Sequence, residues 1–155
     1  MQLEEKVACQ LIRHHETLSI AESCSGGLLA HRITNIPGSS KFLKLGLITY
    51  SNESKIKFLN IPSATIKRFG AVSHQVAERM AKEVRKLLKT DWGISITGIA
   101  GPTGKTLTKP VGLTFIAVSS KIKTLSIRCQ FRGTRLQIKR RATSQALKLL
   151  LNNLT

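Results

Sequence analysis

The sequence predicts an α/β protein: a three-layer α/β/α sandwich around a mixed, mostly parallel sheet. Three observations lead there. Helical and strand periods alternate along most of the chain, the order that builds a sheet covered by helices. The apolar runs 111–118 and 125–131 are joined by only a short connection, so an antiparallel pair must sit within that sheet. Several strand ends run straight into polar, glycine-rich segments, where α/β folds gather their sites. The 155 residues fit one domain, 1–155, and 41% hydrophobic residues are enough to fill its core.

The elements follow from local patterns. Leu3, Val7, Ala8, Leu11 and Ile12 repeat at helical spacing over 3–14. Residues 17–21 read as a short buried strand. Ser25-Gly26-Gly27 then opens a helix to about Asn35, with Leu28, Leu29 and Ile33 on one face. Pro37-Gly38 marks a turn, and 42–50 is apolar enough for a buried strand. Ser51 caps a short helix through Leu59, Ser63 caps another that ends at Gly70, and Ser73 caps a longer one. The apolar stripe of that third helix is Val76, Ala77, Met80, Val84, Leu87 and Leu88. Strands at 92–97, 111–118 and 125–131 follow. Thr134 opens the last helix, with Ile138, Ala142, Ala146 and Leu149 turned inward.

The bulk numbers exclude several classes. No apolar run is long enough to span a bilayer, and Glu4, Glu5 and Lys6 interrupt any signal-like stretch, so a cytoplasmic protein is expected. Three cysteines, Cys9, Cys24 and Cys129, with no CxxC spacing argue against a disulfide framework or a structural zinc site and read as reduced thiols in or near the core. His14, His15, His31 and His74 show no metal-ligand spacing, and no GxSxG elbow supports a Ser–His–Asp hydrolase. The formal charge of +17 is lopsided, with every acidic residue at or before Asp91. Such a field attracts anions: nucleotides, nucleic acid or phosphorylated metabolites.

Three segments could carry chemistry. In Ala21-Glu22-Ser23-Cys24-Ser25-Gly26-Gly27 a strand end meets a helix start, whose backbone N–H groups would face an anion beside two serine hydroxyls. Thr97-Gly98-Ile99-Ala100-Gly101-Pro102-Thr103-Gly104 has glycines that let amides approach a phosphate, although the spacing to Lys105 fails the Walker A pattern. Thr49-Tyr50-Ser51-Asn52-Glu53-Ser54-Lys55 carries the chain's single tyrosine and a lysine in the first turns of a helix. On local evidence each also reads as caps, tight turns and a solvated lysine.

Taken in order, and with Pro37-Gly38-Ser39-Ser40, Gly70-Ala71-Val72-Ser73 and Lys109-Pro110-Val111-Gly112, these segments resemble the CinA C-terminal domain family. The likeness spans about residues 5–150. Stand-alone members of that family are nicotinamide-nucleotide amidohydrolases, also called NMN deamidases; full-length members carry a larger N-terminal domain with no counterpart in these 155 residues. The resemblance implies hydrolysis of the carboxamide of nicotinamide mononucleotide (NMN) to the carboxylate and ammonia, with no metal or organic cofactor. It implies Lys55 as base, a nucleophile from either Ser23 or Ser40, and Tyr50 in the catalytic set. Ser25, Gly26, Gly27, Thr97, Gly98, Gly101 and Arg135 would contact substrate: Gly26-Gly27 at the oxyanion, the loop 98–104 at the phosphate. It also implies a homo-oligomer. Ser25 replaces the family's usual threonine, and Gly133-Thr134-Arg135 replaces its common Gly-Asp-Arg, which removes a negative charge. For the chemistry to work Lys55 must be partly neutral, through burial or neighbouring cations such as Arg135. Two other readings compete: a nucleic-acid-binding protein, argued from the basic last third, and a catalytically silent module of the same family, argued from Thr134.

Overall fold

A computed structural model describes residues 1–154. In chain order the elements are α1 (Leu3–Arg13), β1 (Leu18–Glu22), α2 (Leu28–Thr34), a 3-10 turn (Ser39–Lys41), β2 (Leu43–Ile48), α3 (Asn52–Leu59), α4 (Ser63–Phe69) and α5 (His74–Leu87). Then come β3 (Trp92–Gly98), β4 (Leu113–Ser119), β5 (Thr124–Gln130) and α6 (Arg135–Leu151). The sheet order is β2-β1-β3-β4-β5. β1 pairs in parallel with both β2 and β3, while β4 runs antiparallel to β3 and to β5. Four of the five strands therefore point the same way and only β4 is reversed, which is the mixed, mostly parallel sheet expected.

The central strands β1 and β4 are buried along their whole length, and β3 all but at its last residue, because helices cover both faces; their sequences are near-continuous apolar and small residues as a result. On one face α1, α2 and α6 close over Ile20, Ile94, Ile96, Ile116 and Val118. On the other, α5 lies across the sheet with α3 and α4 packed against it. Gly93 permits this close approach: a Cβ there would run into the carbonyl of Ala81 on α5. One side chain ties the first layer together. Arg32 of α2 donates to Glu4 of α1 at 2.8 and 3.1 Å, and to Thr143 and Ser144 of α6 at 2.9 Å each.

Several expectations need correction. β2 is an edge strand whose residues are half-buried and exposed in alternation, so 42–50 is not a buried strand; Ile48 and Tyr50 are 56% and 59% exposed. Leu87 and Leu88 are exposed, since α5 ends there and its inward stripe stops at Val84. Pro62, not Ser63, occupies the N-cap of α4. Cys9 lies on the surface, while Cys24 is buried and Cys129 half-buried. Ser51, Ser73 and Thr134 cap their helices as expected, each side chain accepting an amide from the first turn. No described helix is long and apolar enough to cross a membrane.

Candidate active site

The strands β1, β2 and β3 end at one rim of the sheet, where β4 begins and β5 ends. A cavity of about 440 Å³ opens there, within the range of small-molecule sites. Ser23 follows directly on β1, its N–H held by Ile96 O at 3.0 Å. Lys55 comes from the first turns of α3, and the Ser51 cap fixes where that helix starts. Its side chain turns inward and is 1% exposed. Lys55 Nζ donates to Ser23 Oγ at 2.9 Å and to the Thr49 carbonyl at 2.7 Å, with a longer contact of 3.4 Å to the Tyr50 carbonyl. No carboxylate is among these partners. Burial without a counter-ion penalises the charged form and brings the Lys55 pKa down to about 8. Arg135 is not a cause of that shift; desolvation is.

The facing wall is the loop after β3. Thr97 is buried, and its Oγ1 donates to Ala71 O at 2.9 Å, which holds the segment before α5 against the strand end. Gly98, Ile99, Ala100, Gly101, Thr103 and Gly104 line the cavity. A Cβ at Gly98 would press on Thr114 Oγ1 and the Leu113 carbonyl at 2.7 and 2.9 Å, so only glycine fits there. Arg135, the first residue of α6, reaches across the mouth. Its Nη1 donates to Gly101 O at 2.7 Å and its Nη2 to the Tyr50 hydroxyl at 2.9 Å. Below, Lys109 donates to the carbonyls of Phe69 and Val72 at 2.6 Å each, pinning the stretch that presents Ala71 and Val72 to the cavity.

This arrangement of segments recurs in known proteins. The family model for the CinA C-terminal domain matches residues 1–154. The chain belongs to the CinA C-terminal domain family. A Caldicellulosiruptor saccharolyticus protein named for competence-damage induction is 50% identical over 148 residues, 96% of this chain and 36% of its own length. A CinA-like protein of Endomicrobium trichonymphae is 49% identical over 90% of this chain and 33% of its own. The chain thus spans about a third of the length of these curated relatives. Among solved structures, a competence or damage-inducible protein from Enterobacter asburiae superposes with a TM-score of 0.95 at 31% identity, covering 99% of this chain and 96% of its own. A competence/damage inducible protein from Agrobacterium tumefaciens gives a TM-score of 0.92 at 34% identity, covering 97% and 95%.

Of the residues the CinA motifs single out, Ser23, Lys55, Tyr50, Thr97, Gly98, Gly101 and Arg135 line the one cavity. Ser40 does not. It is exposed in the 3-10 turn before β2, and no hydrogen bond joins it to Lys55. Ser25, Gly26 and Gly27 are not among the residues that line the cavity. The expectation that the start of α2 offers free amides to an anion does not hold. The buried Glu22 carboxylate accepts from the amides of Gly27, Leu29 and Ala30 at 3.2, 3.1 and 2.8 Å, and Gly26 N–H goes to Ser23 O. The helix end is thereby neutralised from within. Among the described residues, the amides of Cys24 and Ser25 donate to no acceptor, and Ser25 Oγ is buried without a partner.

Thr134 now has a physical reading. It caps α6 by accepting Gln137 N–H at 3.3 Å, and Thr134 N–H donates in return to Gln137 Oε1 at 2.9 Å. Aspartate caps helices equally well, so the departure from Gly-Asp-Arg keeps the geometry that aims Arg135. Sequence reasoning missed Glu22, Cys24 and Asn52. Cys24 lies beside Ser23 with its thiol pushed up to about 11, by burial first and the Glu22 charge second. Its place directly after Ser23 was the available signal.

Proposed function

We propose that this chain hydrolyses the carboxamide of nicotinamide mononucleotide to nicotinate mononucleotide and ammonia. The observation that carries the reading is the buried Lys55 amine, 2.9 Å from Ser23 Oγ, with a pKa of about 8. At pH 7 roughly one Lys55 in ten is neutral, against about one in 2,500 for an ordinary lysine. A neutral Lys55 takes the Ser23 proton as Oγ attacks the carboxamide carbon. The amide of Cys24, a residue that follows Ser23 and lines the cavity, donates to no other described group and is assigned to the tetrahedral oxyanion. The C–N bond then breaks, the Lys55 proton leaves with ammonia, and an ester on Ser23 remains. Water, deprotonated by Lys55, hydrolyses the ester and releases the carboxylate.

The rest of the cavity suits an anionic nucleotide. Arg135 stands at the mouth with the glycine-rich loop 98–104 beside it, so the phosphate is assigned to that end and the carboxamide to the Ser23 end. Tyr50, fixed by Arg135, forms the wall between them. The test is ammonia release from NMN by the purified chain, set beside Ser23→Ala and Lys55→Ala. Turnover lost by at least a thousandfold in both variants, with NMN binding retained, is expected of a nucleophile and its base. Turnover surviving Lys55→Ala would remove the mechanism.

A further inference from the structure

Between its carboxamide and its phosphate NMN carries a ribose with two neighbouring hydroxyls. Most polar side chains of the cavity are already engaged within the chain: Ser23 with Lys55, Thr97 with Ala71 O, and Tyr50 with Arg135. Asn52 and Thr103 are not. Both line the cavity, and among the described residues the side chain of neither makes a hydrogen bond. They stand on facing walls, Asn52 at the start of α3 and Thr103 in the loop after β3. Asn52 has no task in the helix that explains it. Ser51 caps α3 by accepting Ser54 N–H at 3.0 Å, and the Ser54 hydroxyl donates to Ser51 O at 2.7 Å. Asparagine is a poor helix former away from a cap, and the side chain of Asn52 is exposed and fills no core. Residues three apart on a helix share a face, with Cβ atoms about 5–6 Å apart. Asn52 therefore stands one turn from Lys55, which is buried at the floor, while Asn52 is exposed at the rim. That step matches the distance from a carboxamide carbon across a pyridine ring to the sugar on the ring nitrogen.

We propose that Asn52 and Thr103 bind the ribose diol of the substrate, and that this contact selects a ribonucleotide over smaller nicotinamides. The Asn52 amide donates to one hydroxyl and accepts from its neighbour, and the Thr103 hydroxyl meets the diol from the opposite wall. A ligand whose sugar lacks these hydroxyls covers the two polar side chains without pairing them, which costs more than the missing bonds alone. Free nicotinamide forgoes the diol contact and the Arg135 contact together. The subsite rests on the amidohydrolase reading for its orientation, since that reading sets the carboxamide at Ser23 and the phosphate at Arg135.

The test changes protein and ligand together. The ligands are NMN and the analogue whose ribose lacks both hydroxyls; the variants are Asn52→Leu, Asn52→Asp and Thr103→Val. The wild type should favour NMN in kcat/KM by about tenfold or more. Asn52→Leu keeps the volume without the polar groups. It should lower kcat/KM for NMN by about tenfold and treat the analogue as the wild type does, so that most of the preference disappears. Thr103→Val should remove a smaller share in the same way. Asn52→Asp keeps acceptors for the diol, and its charge burdens both ligands alike, so the ratio between them should survive. A loss in Asn52→Leu shared equally by the two ligands overturns the proposal, because a residue that only places α3 and Lys55 does not sense the hydroxyls. A wild type that treats the two ligands alike overturns it as well. If the wild type releases no ammonia from NMN, the amidohydrolase reading falls, and the same combinations read by calorimetric binding decide the diol contact separately. Tighter binding of NMN than of the analogue, lost in Asn52→Leu, upholds the contact; equal or absent binding overturns it.

Discussion

Raising the pH from 7 to 9 should both stabilise this fold and switch on turnover, and Lys55→Met should abolish both effects. Lys55 has a pKa of about 8 in the folded chain against an ordinary value of 10.5. The unfolded chain therefore binds the extra proton more tightly between those values, and stability rises with pH across that window. Below about pH 8 both states are protonated and the full cost of the buried charge, about 3 kcal/mol, is present. Between pH 7 and 9 about 1 kcal/mol of it is relieved, equivalent to a rise of roughly 3 °C in Tm for a chain of this size. Other groups titrate too, so the quantity to measure is the difference between wild type and Lys55→Met by urea denaturation at each pH. The methionine variant fills the same space without a charge and lacks the slope. In parallel, kcat/KM for NMN should rise about tenfold per pH unit up to near pH 8 and then level. A flat difference in stability, or a kcat/KM profile with no inflection between pH 6.5 and 9, would refute the claim that this amine is buried and poised.

Two further outcomes test the framework. Glu22→Gln leaves the α2 amides facing one carbonyl oxygen instead of a carboxylate, and should cost about 2–3 kcal/mol, read as a drop in the urea midpoint. Thr134→Ala should cost about 1 kcal/mol through the lost cap and weaken NMN binding as Arg135 loosens, whereas Thr134→Asp should restore both stability and KM, checked by the same denaturation and by steady-state kinetics.

What could be read from the sequence was local. The caps at Ser51, Ser73 and Thr134 involve a side chain and an amide two or three residues away, so the pattern of residue types contains them. The alternation of periods gave the layers, and the short link before Leu125 gave the antiparallel strand. What escaped was set by distant packing. Lys55 sits in a helix with Lys57 close by and reads locally as a solvated amine; it is buried because the loop after β1 closes over it. Gly26 and Gly27 look like an anion cradle, but the Gly26 amide turns back to Ser23 O and the carboxylate of Glu22, at the end of the preceding strand, takes that of Gly27. Leu87 and Leu88 extend the stripe of α5 on paper, but the helix ends at Leu87 and their side chains leave the core. The separation of Ser40 from Lys55 depends on where β2 lies in the sheet, which no local spacing reveals.

Arg32 has a consequence for the first helix. Its guanidinium is largely buried among α1, α2 and α6, and among the described residues only Glu4 supplies a negative charge to it. That contact also holds the Glu4 carboxyl below its ordinary pKa. Without α1, the remaining layer would hold a partly desolvated cation with hydroxyls alone for company. The opening helix is thus the counter-ion of the rest of its layer as well as a lid over apolar surface, and the chain's overall excess of positive charge makes that single carboxylate harder to replace.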